Sequence, residues 1–138
     1  MFNWFRFGRL LSKATALYEQ GEYLLATEAT EKALEIDNGD FTAIYLFLRL
    51  AVIQNEVDCA EECIARCQKN NPYVAGILVP PWQDALATVK SGEEIPAYVL
   101  KKMNQESREK LEKLQDERTF GIWSMLMSFI FLLVGMQA

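Results

Sequence analysis

No histidine occurs among the 138 residues. That absence removes the commonest metal ligand and the usual general base near neutral pH together. Cysteine is scarce, with only Cys59, Cys63 and Cys67. An odd number makes a poor disulfide framework, and unpaired thiols fit a reducing compartment. Basic residues are in deficit, 14 Lys and Arg against 19 Asp and Glu, for a net charge of −5. They are scattered along the chain, which argues against nucleic acid as a partner, because duplex binding is driven by neutralising phosphates. A secretory signal is not expected, since Arg6, Arg9 and Lys13 interrupt the early apolar residues.

The residues that do carry chemistry form no constellation. Cys59, Cys63 and Cys67 are spaced by four, so they line one helical stripe. A structural metal site commonly needs four converging ligands, more than one straight helix presents. Packing accounts for these thiols better. Glu61/Glu62 and Glu93/Glu94 read as solvated surface. There is no glycine-rich phosphate loop, nucleophile elbow or metal motif. The sequence predicts no enzyme, no cofactor and no metal.

What is present is apolar and periodic. Hydrophobic residues make up 51% of the chain, enough for one domain with an appendage. Leu17 to Ala26 and Ala33 to Asp37 hold two helical patterns meeting at Gly21. The pattern then returns at a step of 34 residues: Gly21 maps to Asn55, Tyr23 to Val57, Ala26 to Ala60, Ala33 to Cys67 and Asn38 to Pro72. A fixed period of paired helices marks a helical repeat array. Leu10, Leu17, Gly21, Tyr23, Ala26, Ala33 and Leu34 in the first unit, with Ile44, Ala51, Ala60, Cys67 and Pro72 in the second, resemble the tetratricopeptide repeat (TPR) family. Lys13 and Ala14 stand where that family tends to have Leu-Gly, and Asn55 where it has glycine.

The expected fold is all-α. It is a TPR-like antiparallel helix-pair solenoid of two clear repeats plus a degenerate third, then a long C-terminal helix with an apolar end. The first helix should cover Leu10–Gln20 and the second Tyr23–Ile36, with Gly21 permitting the turn. Asp40 is placed to cap a helix over Phe41–Gln54, which is apolar on nearly every side and so expects cover all round. Asp58 should cap the next helix, ending before Asn70-Asn71-Pro72. Pro80-Pro81 breaks the third unit, and a short helix should start at Pro81 and run to Lys90. A long helix begins at Ala97, with Glu106/Lys110 and Glu109/Lys113 four apart as on a solvated face.

Four segments are expected: an aromatic N-terminal arm or cap over 1–9, the helical domain over 10–104, a charged connector over 105–119 and an apolar helix over 120–136. The rings of Phe2, Trp4, Phe5 and Phe7 around Arg6 either cap the open end of the array or sit in a membrane interface. Residues 120–136 hold no charge. As a helix they span about 25 Å, against about 30 Å of hydrocarbon. Phe120, Trp123, Leu126, Phe129, Ile130, Phe131, Leu132, Leu133 and Val134 are the residues expected in the bilayer, with the repeat domain facing the cytosol. Folding back onto the helices, or forming the core of a homo-oligomer, are the alternatives. The layout is similar to that of tail-anchored fission adaptors of mitochondria and peroxisomes, although Gln137-Ala138 lacks the basic end usual there.

By the TPR resemblance, the first helix of each unit lines a concave surface. The expected partner-binding residues are Leu11, Thr15, Tyr18, Thr42, Tyr45, Leu46, Arg49 and Val52. This lining is apolar with one cation, and it suits an apolar or amphipathic helix of a protein partner. It lacks the Lys and Asn residues with which chaperone-binding TPR domains hold a carboxylate. The functional expectation is a membrane-anchored adaptor. The alternatives are a structural or assembly subunit of a larger membrane complex, or a soluble chaperone-like oligomer with the C-terminal helix as its core.

Overall fold

The structure is a computed structural model that describes residues 3–116. The described residues are helical, with no strand. The order is α1 (Asn3–Glu19), α2 (Tyr23–Ile36), α3 (Phe41–Ile53), α4 (Val57–Asn70), α5 (Pro72–Leu78) and α6 (Pro80–Lys90). A further helix, α7, covers 97–116. The chain divides into two compact units, one running to Pro96 and the other starting at Ala97. The apolar segment 120–136, with Phe120, Trp123 and the other residues expected in a bilayer, lies outside the described residues. Among the described residues no helix is long and apolar enough to cross a membrane.

In the first unit α1 packs on α2 and α3 on α4, as two helical hairpins joined through α2 and α3. One turn closes both. Gly21 has φ +81° and Asn55 has φ +63°, the left-handed region. The Gly21 N–H donates to Tyr18 C=O at 3.1 Å and the Glu22 N–H to Leu17 C=O at 2.9 Å. At the second turn Asn55 N–H donates to Val52 C=O at 3.2 Å and Glu56 N–H to Ala51 C=O at 2.8 Å. This is the Schellman arrangement, which satisfies carbonyls that a helix end leaves open. Gly92, φ +85°, repeats it a third time, with bonds from Gly92 N–H to Val89 C=O and from Glu93 N–H to Thr88 C=O.

The 34-residue step extends to the helix boundaries. α2 and α4 start at Tyr23 and Val57 and end at Ile36 and Asn70. Ala26 and Ala60, and likewise Ala33 and Cys67, are fully buried, small side chains that let two helices approach. Asp40 caps α3 as expected, its carboxylate accepting from Ala43 N–H at 3.0 Å. Asp58 does not cap α4. It lies in the first turn, and Glu56 occupies the cap position without a side-chain bond.

Several boundaries differ from the sequence expectation, with α1 and α3 each ending one residue early, at Glu19 and Ile53. α1 starts at Asn3 instead of Leu10, because no proline interrupts the segment and the single Gly8 is tolerated within the helix at a cost of about 1 kcal/mol. α6 starts at Pro80 instead of Pro81. α5 was not expected, although its signal is present: Asn71 accepts from Val74 N–H at 3.3 Å and Pro72 occupies the first turn. Val79 alone separates α5 from α6 and is itself right-handed helical, φ −78° and ψ −38°. The two prolines therefore bend the path without opening a loop.

α3 is the centre of the first unit. It packs against α1, α2, α4 and α6. Ala43, Ile44, Tyr45, Leu46, Leu48, Arg49, Leu50, Ala51 and Val52 are all buried, which is the cover that its all-round apolar surface requires. Burying Leu or Val side chains contributes roughly 1.5–3 kcal/mol each. The two hairpins are also tied by polar contacts. Gln54 Nε2 donates to Thr27 Oγ1 at 2.8 Å, Asn70 Nδ2 donates to Gly39 C=O at 3.1 Å, and Arg66 donates to Asn38 C=O. Lys90 on α6 pairs with Glu61 on α4 at the surface.

In the second unit, on the exposed face of α7, Gln105 Nε2 donates to Glu109 Oε1 at 3.4 Å.

Candidate functional site

The Asp40 cap starts α3 in a register that places Tyr45 and Arg49 one turn apart on the same face. The Gly21 turn folds α1 back along α2, and α1 meets α3. Tyr18 is thereby delivered to the other side of Arg49. The Arg49 guanidinium carbon stands 4.6 Å from the centre of the Tyr45 ring and 5.0 Å from that of Tyr18. Both are cation–π distances.

This cluster is interior. Arg49 is only 7% exposed, Tyr18 6% and Tyr45 0%. Tyr45 Oη donates to Leu78 C=O at 3.4 Å, which ties α3 to the end of α5. The ring of Tyr18 meets that of Tyr23 edge-on at 5.9 Å, and Phe41 stacks on Tyr45 at 6.1 Å. Burial pushes the Tyr18 phenol well above its ordinary value of 10.0, with the Arg49 charge opposing. The phenol is therefore neutral at physiological pH and cannot neutralise Arg49. Arg49 Nε is buried with no hydrogen-bond partner among the described residues. An unpaired buried donor costs about 1–3 kcal/mol, and the two aromatic faces offset only part of that.

The structure brings together Tyr18, Tyr45 and Arg49, with Leu46 beside Tyr18 in a core cluster that also holds Ala14, Ala26, Ala29 and Leu50. Leu11 packs against that cluster. Val52 is also buried, Thr42 is half-buried and Thr15 is exposed, its hydroxyl donating to Leu11 C=O at 2.9 Å. Five of the eight expected partner residues are thus interior, leaving Leu11, Thr15 and Thr42 as those that solvent reaches. The Tyr45–Arg49 pairing was legible as an i, i+4 spacing. That of Tyr18 with Arg49 depends on how α1 crosses α3, which no local signal states.

The three cysteines occupy one face of α4, with Cys63 and Cys67 buried and Cys59 half-buried. Burial raises all three thiols, that of Cys67 from 9.0 to about 12. They are protonated at neutral pH and behave as small apolar groups. No group of metal-ligating side chains occurs among the described residues.

The first turns of α1 present exposed aromatic rings. Trp4 is 75% exposed and Phe5 55%, their rings meeting edge-on at 6.0 Å. Around them lies a shallow depression lined by Arg6, Gly8, Arg9, Leu10, Ser12 and Lys13 as well. In comparisons with protein families, with curated proteins and with solved structures, the chain matches none.

Proposed function

We propose that this chain is a membrane-anchored adaptor built on TPR-like helix pairs. Its hairpins hold an apolar or amphipathic helix of a partner protein, and residues 120–136 hold the chain in the membrane with the repeats facing the cytosol. Recruitment is the mechanism: tethering raises the effective concentration of whatever the hairpins bind. The observation that carries this reading is the recurrence of one hairpin at a 34-residue step, down to the same left-handed turn at Gly21 and Asn55. Arrays of such pairs present extended binding surfaces. Thr15 and Thr42 mark the accessible part of that surface, and the Tyr18–Arg49–Tyr45 cluster supports it from beneath.

The test has two arms. Membranes carrying the full chain, or a version ending at Arg118, are extracted with alkaline carbonate. Retention of the full chain with release of the shorter one supports the anchor; release of both overturns it. A photo-crosslinking residue is then placed at Thr15 or Thr42, and at Glu31 or Glu62 as outer-face controls. Crosslinks to one protein from the first pair alone support the groove. Equal crosslinking from both pairs removes the groove assignment and favours a subunit enclosed by a larger complex.

A further inference from the structure

We propose that the outward stripe of α1 is a docking surface for an anionic lipid bilayer, independent of the C-terminal segment. At 3.6 residues per turn, Arg6, Arg9 and Lys13 fall within an arc of about 60°. All three are exposed, and none forms an ion pair among the described residues. Tyr18 lies about 120–180° round the helix from the three cations and Ala14 about 80–140°; both are buried, whereas the cations stand in solvent. The one carboxylate on α1 is Glu19, at the far end. In a chain of net charge −5 the stripe is a local island of positive charge.

The aromatic residues identify the partner. Phe5 lies about 40° round the helix from Arg9 and Trp4 about 100° beyond Phe5, the two rings meeting edge-on at 6.0 Å and standing mostly in water. An indole and a phenyl beside guanidiniums suit the headgroup layer, where the rings sink among the acyl ends while the cations meet phosphates. Three cations over two turns neutralise too few phosphates for tight duplex binding, and a duplex backbone would leave both rings wet. Each basic residue near an anionic surface is worth about fivefold in partitioning, so the three together give roughly a hundredfold.

The test uses the full chain with vesicles of brominated phosphatidylcholine, with and without phosphatidylserine. Wild type is compared with W4F, so that quenching at Trp82 and Trp123 cancels and the difference reports Trp4. The expected result is a Trp4 quenching increment in the phosphatidylserine vesicles. It is lost in R6E/R9E/K13E and falls in high salt, since surface attraction is screened within about 10 Å at 0.1 M salt. The salt series on wild type tests the charges even where the triple variant fails to fold. No increment in anionic vesicles overturns the proposal. So does an equal increment in neutral ones, and so does a shift of Trp4 emission with an RNA or DNA oligonucleotide where vesicles produce none. Because the readout is local to Trp4, it is the same whether or not residues 120–136 insert.

Discussion

Arg49 lies between Tyr18 and Tyr45, 5.0 Å from one ring centre and 4.6 Å from the other, and so joins the first helix hairpin to the second. Among the described residues no carboxylate pairs with Arg49, and the two aromatic faces supply negative potential to its charge. Cation–π contacts of this kind are worth about 0.5–2 kcal/mol each. Arg49→Ala and Tyr45→Leu should each destabilise the fold. Their double-mutant cycle, measured by urea unfolding, should return a coupling of about 1 kcal/mol. Strict additivity would mean that the contact contributes nothing.

The three turns make a paired prediction. Gly21 and Gly92 hold a left-handed backbone that costs an ordinary L-residue about 1–2 kcal/mol. Gly21→Ala and Gly92→Ala should therefore lower stability by about 1 kcal/mol. Asn55 already bears part of that strain, so Asn55→Gly should be neutral or stabilising. Thermal unfolding of the three variants checks the opposite signs.

Ala26 and Ala60 occupy equivalent helix crossings and are both fully buried. A larger side chain at either forces the pair of helices apart, at roughly 1–3 kcal/mol. Ala26→Leu and Ala60→Leu should each lower the melting temperature, whereas Leu24→Ala, at an exposed site on α2, should leave it nearly unchanged. Equal effects at all three positions would contradict the crossing geometry.

Alkaline pH should weaken the fold below the point where other groups fail. The Cys67 thiol is raised by burial from 9.0 to about 12, and the Tyr18 phenol upward from 10.0. The unfolded chain releases these protons near the ordinary values, while the folded chain keeps them. Their contribution is complete below about pH 9 and is lost as pH rises through 12. The urea midpoint should fall between pH 8 and pH 10.5, and less steeply in Cys67→Ala. For the same reason Cys63 and Cys67 should resist thiol reagents at pH 8 until the protein unfolds.

The sequence by itself determined the local elements. Gly21 and Asn55 marked turns because few residues accept a left-handed backbone. Asp40 marked a helix start because its carboxylate can take an open N–H. The return of small residues at Ala26, Ala60, Ala33 and Cys67 gave the period of the hairpins. These signals act within a few residues, so one chain read in order displays them. Even there, Asp58 lies in the first turn of α4 and does not cap it, and Asn71–Pro72 starts a helix of its own, α5. Tertiary structure decided which groups share an environment. Arg49 looked like a cation in an open groove, because its spacing matches a lining position. The crossing of α1 over α3 instead placed it between two rings and out of water. Trp4 and Phe5 could have capped the array or faced outward, and their order in the chain is the same in both cases. The continuous helix from Asn3, with Ala14 and Tyr18 turned into the core, sets a rotation that turns Phe5 outward, and Trp4 is 75% exposed in the first turn. Burial depends on the summed packing of distant segments, and no local pattern encodes that sum.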